Sequence, residues 1–368
     1  MKESQDRKRI AIVGLGLIGS SLGLALKQGG LREVEIVGHD LDRGVANKAQ
    51  RLGAIDRAEH NLSRAVTGAS LVIIATPVLA VREVMAQIAA DLAEGAVVTD
   101  TASTKAEVMR WAGELLPAGV HFVGGHPMAG KERAGVENAE ATLFRDKAYC
   151  LCPAVGADEG AVRAIIGMIR MVGAEPLFID PAEHDQYAAA VSHLPLVLSA
   201  ALFTLLRTCP AWPDLGAMTS SAFRDLTRLA SADPRMSHDI FVTNREAVIH
   251  WLDRMGEELG RYRELIQGEP EEMFQAFARA QLERDAFIAQ PPSRRVEGEM
   301  PDVRQAFMDS LIGSWTAERL RRAKELPGLL KEARQGVSEP EEKRGPTLAE
   351  RIAEDIRRDL EKRSPADK

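Results

Sequence analysis

The segment RIAIVGLGLIG, residues 9–19, places three glycines between an apolar run and a segment with helical spacing. Gly14, Gly16 and Gly19 have G-x-G-x-x-G spacing, which lets a strand turn tightly into a closely packed helix. The next apolar run, VEIVGHD, ends at Asp40. This order predicts a strand–helix–strand unit, which requires a parallel sheet with a helix across one face.

The alternation of apolar runs and helical patterns continues to about residue 180. SLVIIATP, GAVVTDTAS and VHFVGGHP predict further strands, and AYCLCP and EPLFID predict the last two. After Pro181, the apolar segment AEHDQYAAAVSHLPLVLSAALFTLL and the segments that follow it have helical spacing. We therefore predict an α/β Rossmann-type, doubly wound parallel sheet over residues 1–180 and an all-α dimerisation domain over residues 181–289.

Residues 290–368 predict a linker-rich helical extension of unknown role. AQPPSRRVEGEMPD has the prolines and charges of a linker, and TLAERIAEDIRRDLEKR predicts a heavily charged helix at the end. That helix either is solvated or docks on its own chain, or it associates with a partner.

The net charge of −7, from 47 Lys and Arg against 54 Asp and Glu, argues against nucleic-acid binding, which needs a basic surface. Three cysteines form neither a disulfide framework nor a zinc site, and no metal-ligand spacing is present. The polar start MKESQDRKR is not a signal sequence, and we expect no apolar run long enough to span a bilayer. Together these features predict a cytoplasmic protein that binds neither nucleic acid nor membrane.

The glycine turn predicts a dinucleotide site. Gly16 would let the backbone approach a pyrophosphate, and the free N–H groups of the helix start would bind it. Asp40 would accept hydrogen bonds from ribose hydroxyls, which favours NAD, although Arg43 nearby leaves NADP open. The residues expected to contact the cofactor are Gly14, Gly16, Leu17, Ile18, Gly19, Asp40, Thr76 and Pro77.

Ser103 and His126 follow two predicted strands, GAVVTD and HFVGG. Ligands bind beyond the carboxyl ends of parallel strands, so both side chains should reach one crevice beside the nicotinamide. A neutral His126 that is oriented by the Ser103 hydroxyl is a candidate general base for a substrate hydroxyl.

The predicted helical domain contributes further candidates. His193, in SHLP, interrupts the most apolar segment, so it either bonds to a core carbonyl or contacts a substrate. Arg224 and Arg228 are four residues apart and could bind carboxylates from one helix face, or pair on the surface with acids such as Asp225.

The motifs GGHPMAGKE, SHLP and FRDLTRLA, with the N-terminal glycines, resemble the prephenate dehydrogenase family over residues 9–289. The resemblance implies oxidation of prephenate by NAD with loss of carbon dioxide, giving 4-hydroxyphenylpyruvate for tyrosine biosynthesis. It also implies an intertwined homodimer. Residues 290–368 lack the βαββαβ alternation of the regulatory ACT domain that some relatives carry there.

The resemblance also implies roles for single residues. His126 would take the proton of the ring hydroxyl, and Ser103 would bond to that hydroxyl and orient His126. His193 would contact the substrate from the helical domain. Arg228 would hold the ring carboxylate, with Glu132 near it at the mouth of the pocket.

Four positions depart from the family pattern. Lys131 stands where Thr or Ser is common, Arg224 where Lys is common, Leu196 in place of a histidine and Ser237 in place of a tryptophan. These changes leave open arogenate, which carries an amino group instead of the keto group. The two cations Lys131 and Arg224 suit the dianionic keto acid, so we expect prephenate.

Two other interpretations compete. A 3-hydroxyacid or imino-acid dehydrogenase has a similar build but relies on a lysine base or on none, and GGHP with SHLP argues against it. A dinucleotide-binding scaffold or sensor with a decayed site would not need Ser103, His126, His193 and Arg228 together.

Overall fold

The computed structural model describes residues 8–31, 34–131, 133–290, 292 and 307. Its eight strands are β1 (Lys8–Val13), β2 (Val34–His39), β3 (Arg57–Ala58), β4 (Leu71–Ile74), β5 (Val97–Asp100), β6 (His121–Pro127), β7 (Ala148–Pro153) and β8 (Glu175–Phe178). They form one sheet in the order β3-β2-β1-β4-β5-β6-β7-β8. The strand order reverses between β1 and β4, with β2 and β3 on one side of β1 and β4 to β8 on the other, as in doubly wound folds.

Helices cover both faces of this sheet. They are α1 (Leu17–Gln28), α2 (Arg43–Arg51), α3 (Leu62–Val66), α4 (Val78–Ile88), α5 (Ala106–Leu115) and α6 (Glu159–Met171). Ile10 and Ile12 of β1 enter an apolar cluster with residues of α1 and α6, whereas Ala11 and Val13 enter a second cluster with residues of α4 and α5. The central strand is therefore buried on both faces, as the apolar run RIAIV predicts.

β7 and β8 depart from the predicted parallel order. β7 pairs antiparallel with β6, and β8 then pairs parallel with β7. In the described part of the connection between β6 and β7, the helical structure is one short turn, Val136–Asn138. A parallel pair usually needs a crossover helix that packs on the sheet, and the described part of this connection has only that short turn, so β7 runs back alongside β6 in the opposite direction.

The second half of the described chain is helical. Its helices are α7 (Pro181–Ala188), α8 (Leu194–Arg207), α9 (Trp212–Ala217), α10 (Ser221–Thr227), α11 (Pro234–Thr243), α12 (Arg245–Gln267) and α13 (Pro270–Ala289). The π-helical turn Ala189–His193 joins α7 to α8. Such turns are frequent at functional sites, and this one ends at a predicted site residue.

The helical run Pro181–Arg207 is long and apolar enough to cross a membrane by length and composition, so the expectation that no such run exists was wrong. Only 22% of its most apolar window is buried within the chain, although the sequence predicted a largely buried helix. Val191 and Leu205 are 70% and 68% exposed. An apolar face of this size needs a cover that the described part of the chain does not supply.

One residue of the C-terminal region packs into the first half of the chain. Phe307 is fully buried and belongs to the cluster that contains α1 and α6. A Cβ built on Gly167 of α6 would lie 2.8 Å from the Phe307 Cβ, so the glycine makes room for the ring. The other predicted features of residues 290–368 lie outside the described residues.

A buried ion pair ties the end of β5 to the start of α5. Lys105 and Asp100 are fully buried, and the Lys105 ammonium donates to Asp100 Oδ2. The same carboxylate accepts from the backbone N–H of Ala102 at 2.8 Å and of Gly125 at 3.0 Å. The pair therefore fixes the β5–α5 loop against β6. Because both side chains are buried, water cannot solvate one charge if the other is removed.

We predict that Lys105→Met lowers the free energy of unfolding by roughly 3–5 kcal/mol, because it leaves the Asp100 carboxylate buried without its counter-ion. Urea unfolding at fixed protein concentration measures the loss. Lys27→Met is the matched control, since Lys27 pairs with Asp56 at the surface and should cost about 1 kcal/mol or less. Equal losses in the two variants would contradict the structural role of the buried pair.

Candidate active site

A cavity of about 870 Å³ lies between the two halves of the described chain. The first half contributes Ser103, His126, Pro127, Met128, Ala129, Gly130, Lys131, Arg133, Ala134 and Asn138. The helical half contributes Val191, Ser192, Leu196, Arg228, Leu229, Ser231, Ala232, Asp233, Met236 and Ile240. Ligand sites commonly form in such clefts, at the carboxyl ends of the strands and between domains.

His126 lies within β6, which continues to Pro127, and not after the strand as the sequence suggested. Its backbone pairs with Cys150 of β7. A Cβ on Gly125 would lie 2.6 Å from the Asp100 carbonyl oxygen, and one on Gly124 would lie 2.8 Å from the Met109 sulfur. Gly125 is therefore needed for close packing of β6 on β5, next to His126, whereas at Gly124 the flexible Met109 side chain could move aside.

The His126 ring bonds to a second buried histidine. His126 Nδ1 lies 2.9 Å from His184 Nε2, and His184 Nδ1 lies 2.8 Å from Asp185 Oδ1. Burial, followed by His184, Lys105 and His193, holds the pKa of His126 well below its ordinary value of 6.5. His126 is therefore neutral near pH 7, which a general base requires.

Asp185 joins the two halves of the chain. Its Oδ1 accepts from the Lys105 backbone N–H at 2.7 Å, and its Oδ2 accepts from the Ala106 N–H at 2.9 Å. These N–H groups lie at the start of α5, and the Lys105 side chain does not cap that helix. A carboxylate from α7 therefore caps α5, where the helix dipole favours negative charge.

His193 is buried beside the same network. The Asn244 side-chain amide lies 3.3 Å from His193 Nδ1 and donates to the Asp185 carbonyl oxygen at 2.7 Å. Burial lowers the pKa of His193 to about 4. Its Nε2 is buried without a hydrogen-bond partner in the described part of the chain. An unsatisfied buried nitrogen is costly, and a polar group of a bound ligand would supply the missing hydrogen bond.

The structure brings only some of the predicted substrate contacts together. Ser103, Lys131 and Arg228 line the cavity with His126. Among the described residues, Ser103 has no hydrogen bond to His126. Arg224 is exposed and is not among the lining residues; it lies within α10, which ends at Thr227, whereas Arg228 begins a 3₁₀ turn. The two arginines therefore do not form the predicted clamp.

Lys131 at the cavity wall already has partners. Its ammonium lies 2.8 Å from Glu140 Oε2 and donates to the Asn138 carbonyl oxygen at 2.9 Å. Its charge is thus partly neutralised before any ligand binds. Glu132, predicted at the mouth of the pocket, lies outside the described residues.

The predicted dinucleotide site has a suitable geometry. Gly14 has φ +90°, and a Cβ there would lie 2.5 Å from the Ala75 carbonyl oxygen. A Cβ on Gly19 would lie 1.9 Å from the Gly14 carbonyl oxygen, so the helix packs directly on the turn. Gly16, at the start of α1, has no atom within 4 Å of its Cβ position and leaves its backbone open. The open backbone and the free N–H groups of Leu17 and Ile18 suit a pyrophosphate.

The strand ends on either side of this turn carry polar groups. Asp40 follows β2, and its carboxylate accepts from the Leu15 N–H at 2.8 Å and from the Asp42 N–H at 2.9 Å. Thr76 follows β4, and its Oγ1 is buried without a partner in the described part of the chain. Pro77 precedes the first residue of α4. An oriented carboxylate and an unpaired hydroxyl both fit a ligand with ribose hydroxyls.

Sequence reasoning missed His184, Asp185 and Asn244. The rule that a buried polar group needs a partner was applied to His193, and it applies equally to the His-Asp pair in AEHDQ, at the start of the same apolar helix. That signal could have identified His184 and Asp185 as buried. The partners themselves lie 58 and 80 residues away in the chain, so spacing could not identify them.

Two models of known protein families match consecutive parts of the chain. Residues 22–177 match the family described as prephenate dehydrogenase, nucleotide-binding domain. Residues 180–279 match the family described as prephenate dehydrogenase, dimerization domain. The two matches together span more than half of the chain.

Individual proteins agree with these matches. The prephenate dehydrogenase of Bacillus subtilis (strain 168) is 32% identical over 311 residues, which are 83% of this chain and 82% of the relative. The crystal structure of prephenate dehydrogenase from A. aeolicus, in complex with hydroxyphenyl propionate and NAD+, is 30% identical, with a TM-score of 0.71 over 77% of this chain and 100% of that one. The structure of Synechocystis arogenate dehydrogenase is 28% identical, with a TM-score of 0.65 over 76% of this chain and 99% of that one. The chain therefore belongs to the prephenate dehydrogenase family.

Proposed function

We propose that this protein catalyses the NAD-dependent oxidative decarboxylation of prephenate to 4-hydroxyphenylpyruvate, a step of tyrosine biosynthesis. The observation that carries the proposal is the neutral, buried His126 at the wall of a cavity that Arg228 also lines. The relatives named prephenate dehydrogenase support the same reaction. His126 can take the proton of the substrate hydroxyl, and Arg228 can bind a substrate carboxylate.

NAD would bind along the glycine turn. The backbone at Gly16 and the start of α1 would hold the pyrophosphate, and Asp40 would accept hydrogen bonds from the ribose hydroxyls. The Asp40 carboxylate would repel the 2′-phosphate of NADP. When bound, NAD accepts the hydride from the substrate carbon that carries the hydroxyl. The A. aeolicus complex with NAD+ supports this choice of cofactor.

His126 would remove the proton of the ring hydroxyl as the same carbon loses hydride. The C–O bond then becomes a carbonyl that is conjugated with the ring diene. The ring carboxylate leaves as carbon dioxide, and its bonding electrons make the ring aromatic. Ser103 lines the same cavity and would bond to the reacting hydroxyl. This chemistry needs a base, a hydride acceptor and cations for two carboxylates.

Arg228 would hold the ring carboxylate before it leaves, because a guanidinium can donate two parallel hydrogen bonds to a carboxylate. His193, whose Nε2 has no partner among the described residues, would contact the substrate from the helical domain. The contribution of Lys131 would be smaller than its charge suggests, since it already binds Glu140. Arg224 would act on the substrate only after moving, because it lies outside the cavity lining.

Arogenate is the second candidate substrate, since one relative is named an arogenate dehydrogenase. Lys131 and Arg224 favour prephenate less in the structure than in the sequence, because Lys131 already pairs with Glu140 and Arg224 lies outside the cavity lining. The comparison of kcat/KM for prephenate and arogenate decides between them. A clear preference for arogenate would reject the proposed substrate while leaving the proposed chemistry in place.

We predict rapid NADH formation from prephenate and NAD by the wild-type protein. His126→Asn should reduce kcat by roughly 10²- to 10⁴-fold, the usual contribution of a general base. Absorbance of the nicotinamide band measures both rates. His121→Asn, at the other end of β6, is the matched control and should retain activity. Absence of turnover with either prephenate or arogenate would instead favour an NAD-binding scaffold or sensor.

The pH dependence of kcat/KM follows from the environment of His126. Because burial lowers the pKa of His126 well below 6.5, the residue stays unprotonated as the pH falls to that value. We expect kcat/KM to remain level from about pH 8 to about pH 6.5 and to fall only at lower pH. An acidic limb centred at or above 6.5 would contradict a base in this environment.

We also propose that two copies of the chain associate through the helical domain in the cytoplasm. The match to a dimerization domain and the exposed apolar side chains of this half support the proposal. These side chains include Leu205, Leu226, Ile266, Phe274, Leu282 and Phe287.

Light scattering without detergent should give twice the chain mass, and Leu282→Asp should shift the protein toward monomer, because a charge would be buried in the interface. Val155→Asp, at a fully exposed position of the first domain, should leave the mass unchanged. A monomeric wild type, or a protein that remains with the membrane fraction, would contradict this assembly.

A further inference from the structure

A second histidine, His184, contacts the proposed base, and the mechanism above does not use it. His184 is 2% exposed and lies in the first turns of α7. Its ring meets that of His126 edge-on, with centroids 5.1 Å apart and planes at 67°. Water therefore does not reach the side of His126 that contacts His184, so His126 Nδ1 bonds to a protein group and not to solvent.

The directions of the hydrogen bonds follow from Asp185. Both of its oxygens accept backbone N–H groups, so Asp185 is an ionised acceptor. The 2.8 Å contact then requires that His184 Nδ1 carries a proton and donates it. In a neutral imidazole the other nitrogen has the lone pair, so His184 Nε2 accepts.

His184 Nε2 in turn determines the state of His126. An acceptor 2.9 Å from His126 Nδ1 requires a proton on that nitrogen. The lone pair of a neutral His126 is then on Nε2, the nitrogen that His184 leaves free for a ligand. We propose that His184, fixed by Asp185, is a positioning residue that holds His126 in the Nδ1–H form, so that Nε2 is the atom that takes the substrate proton. This inference deepens the proposed function, and its kinetic part rests on it.

The arrangement has a second consequence after proton transfer. Protonated His126 donates from Nδ1 to a ring that Asp185 polarises, so part of the carboxylate charge stabilises the new cation. Lys105 and His193 disfavour a positive charge on His126, and a charged His184 would do the same. Only a neutral His184 that accepts from Nδ1 stabilises the protonated ring. His184 is thus the contact that makes a base of low pKa usable. The orienting role that was predicted for Ser103 passes to His184 in this proposal.

His184→Phe and His184→Gln separate this role from packing. Phenylalanine fills the space but accepts no hydrogen bond, whereas a glutamine Oε1 can take the place of Nε2 and accept from His126. We expect kcat to fall on the order of 100-fold in His184→Phe, within the range of general base catalysis, with KM and NAD affinity nearly unchanged. His184→Gln should recover most of kcat. His250→Phe is the control for loss of another buried imidazole.

The tautomer of His126 is measured independently of turnover. Nitrogen-15 shifts of the ring, assigned by comparison with His126→Asn, should report the Nδ1–H form in wild type and in His184→Gln. They should report a shift toward the Nε2–H form in His184→Phe. An unchanged tautomer in His184→Phe, or equal kcat in the Phe and wild-type proteins, would overturn the proposal. Should the wild type prove inactive on prephenate, the proposed function would fail while the tautomer result would still stand.

Discussion

The carboxylate of Asp185 holds the two domains in the arrangement on which the site depends. Although it belongs to α7, it accepts from the N–H groups of Lys105, the N-cap residue of α5, at 2.7 Å and of Ala106, the first residue of α5, at 2.9 Å. A helix start has unpaired donors and a partial positive charge, so an ionised acceptor there is stabilising and directional. Because Asn244 also binds the Asp185 backbone, the start of α5 meets both α7 and α12 at this residue. A small rotation between the domains would break both bonds from Asp185 to the start of α5, whereas the Asn244 bond lies within the helical domain.

The chemistry of the cavity follows from that junction. His126 belongs to the sheet, whereas His184 and His193 belong to the helical domain, and they become neighbours only when the domains pack together. Burial lowers the pKa of His126 and of His193 and keeps both rings neutral, but buried imidazole nitrogens need hydrogen-bond partners. The domain contact supplies those partners for His126 and His184. The free Nε2 of His193 leaves one polar group for the ligand.

Local features of the fold could be predicted from the sequence because they depend on residues that are close in the chain. The turn at Gly14 is fixed by a positive φ and by contacts with Ala75, and the buried strands need only uninterrupted apolar runs. His126 was identified because an imidazole next to glycines is unusual at the edge of a sheet. The antiparallel direction of β7 was not predicted, since apolar spacing is the same for both directions and the connection decides between them.

Long-range features were harder to predict, for two physical reasons. His184 and Asp185 find their partners across the domain contact, so no periodicity within α7 indicates them. Arg224 and Arg228 have helical spacing, but the helix ends between them, and a change to a 3₁₀ turn alters the side-chain directions. The apolar run Pro181–Arg207 is mostly exposed within the described chain, so the sequence predicts its composition but not what covers it.

The proposed mechanism requires that His126 Nε2 faces the reacting hydroxyl in the cavity lined by both domains. A crystal structure of the protein with NAD and 4-hydroxyphenylpyruvate tests it most directly, because the product keeps the oxygen that lost its proton. We predict that this oxygen lies about 3 Å from His126 Nε2, within hydrogen-bond reach. We also expect His126 Nδ1 to remain hydrogen-bonded to His184. A phenolic oxygen well beyond hydrogen-bond distance from His126, or one bound at Nδ1, would contradict this mechanism.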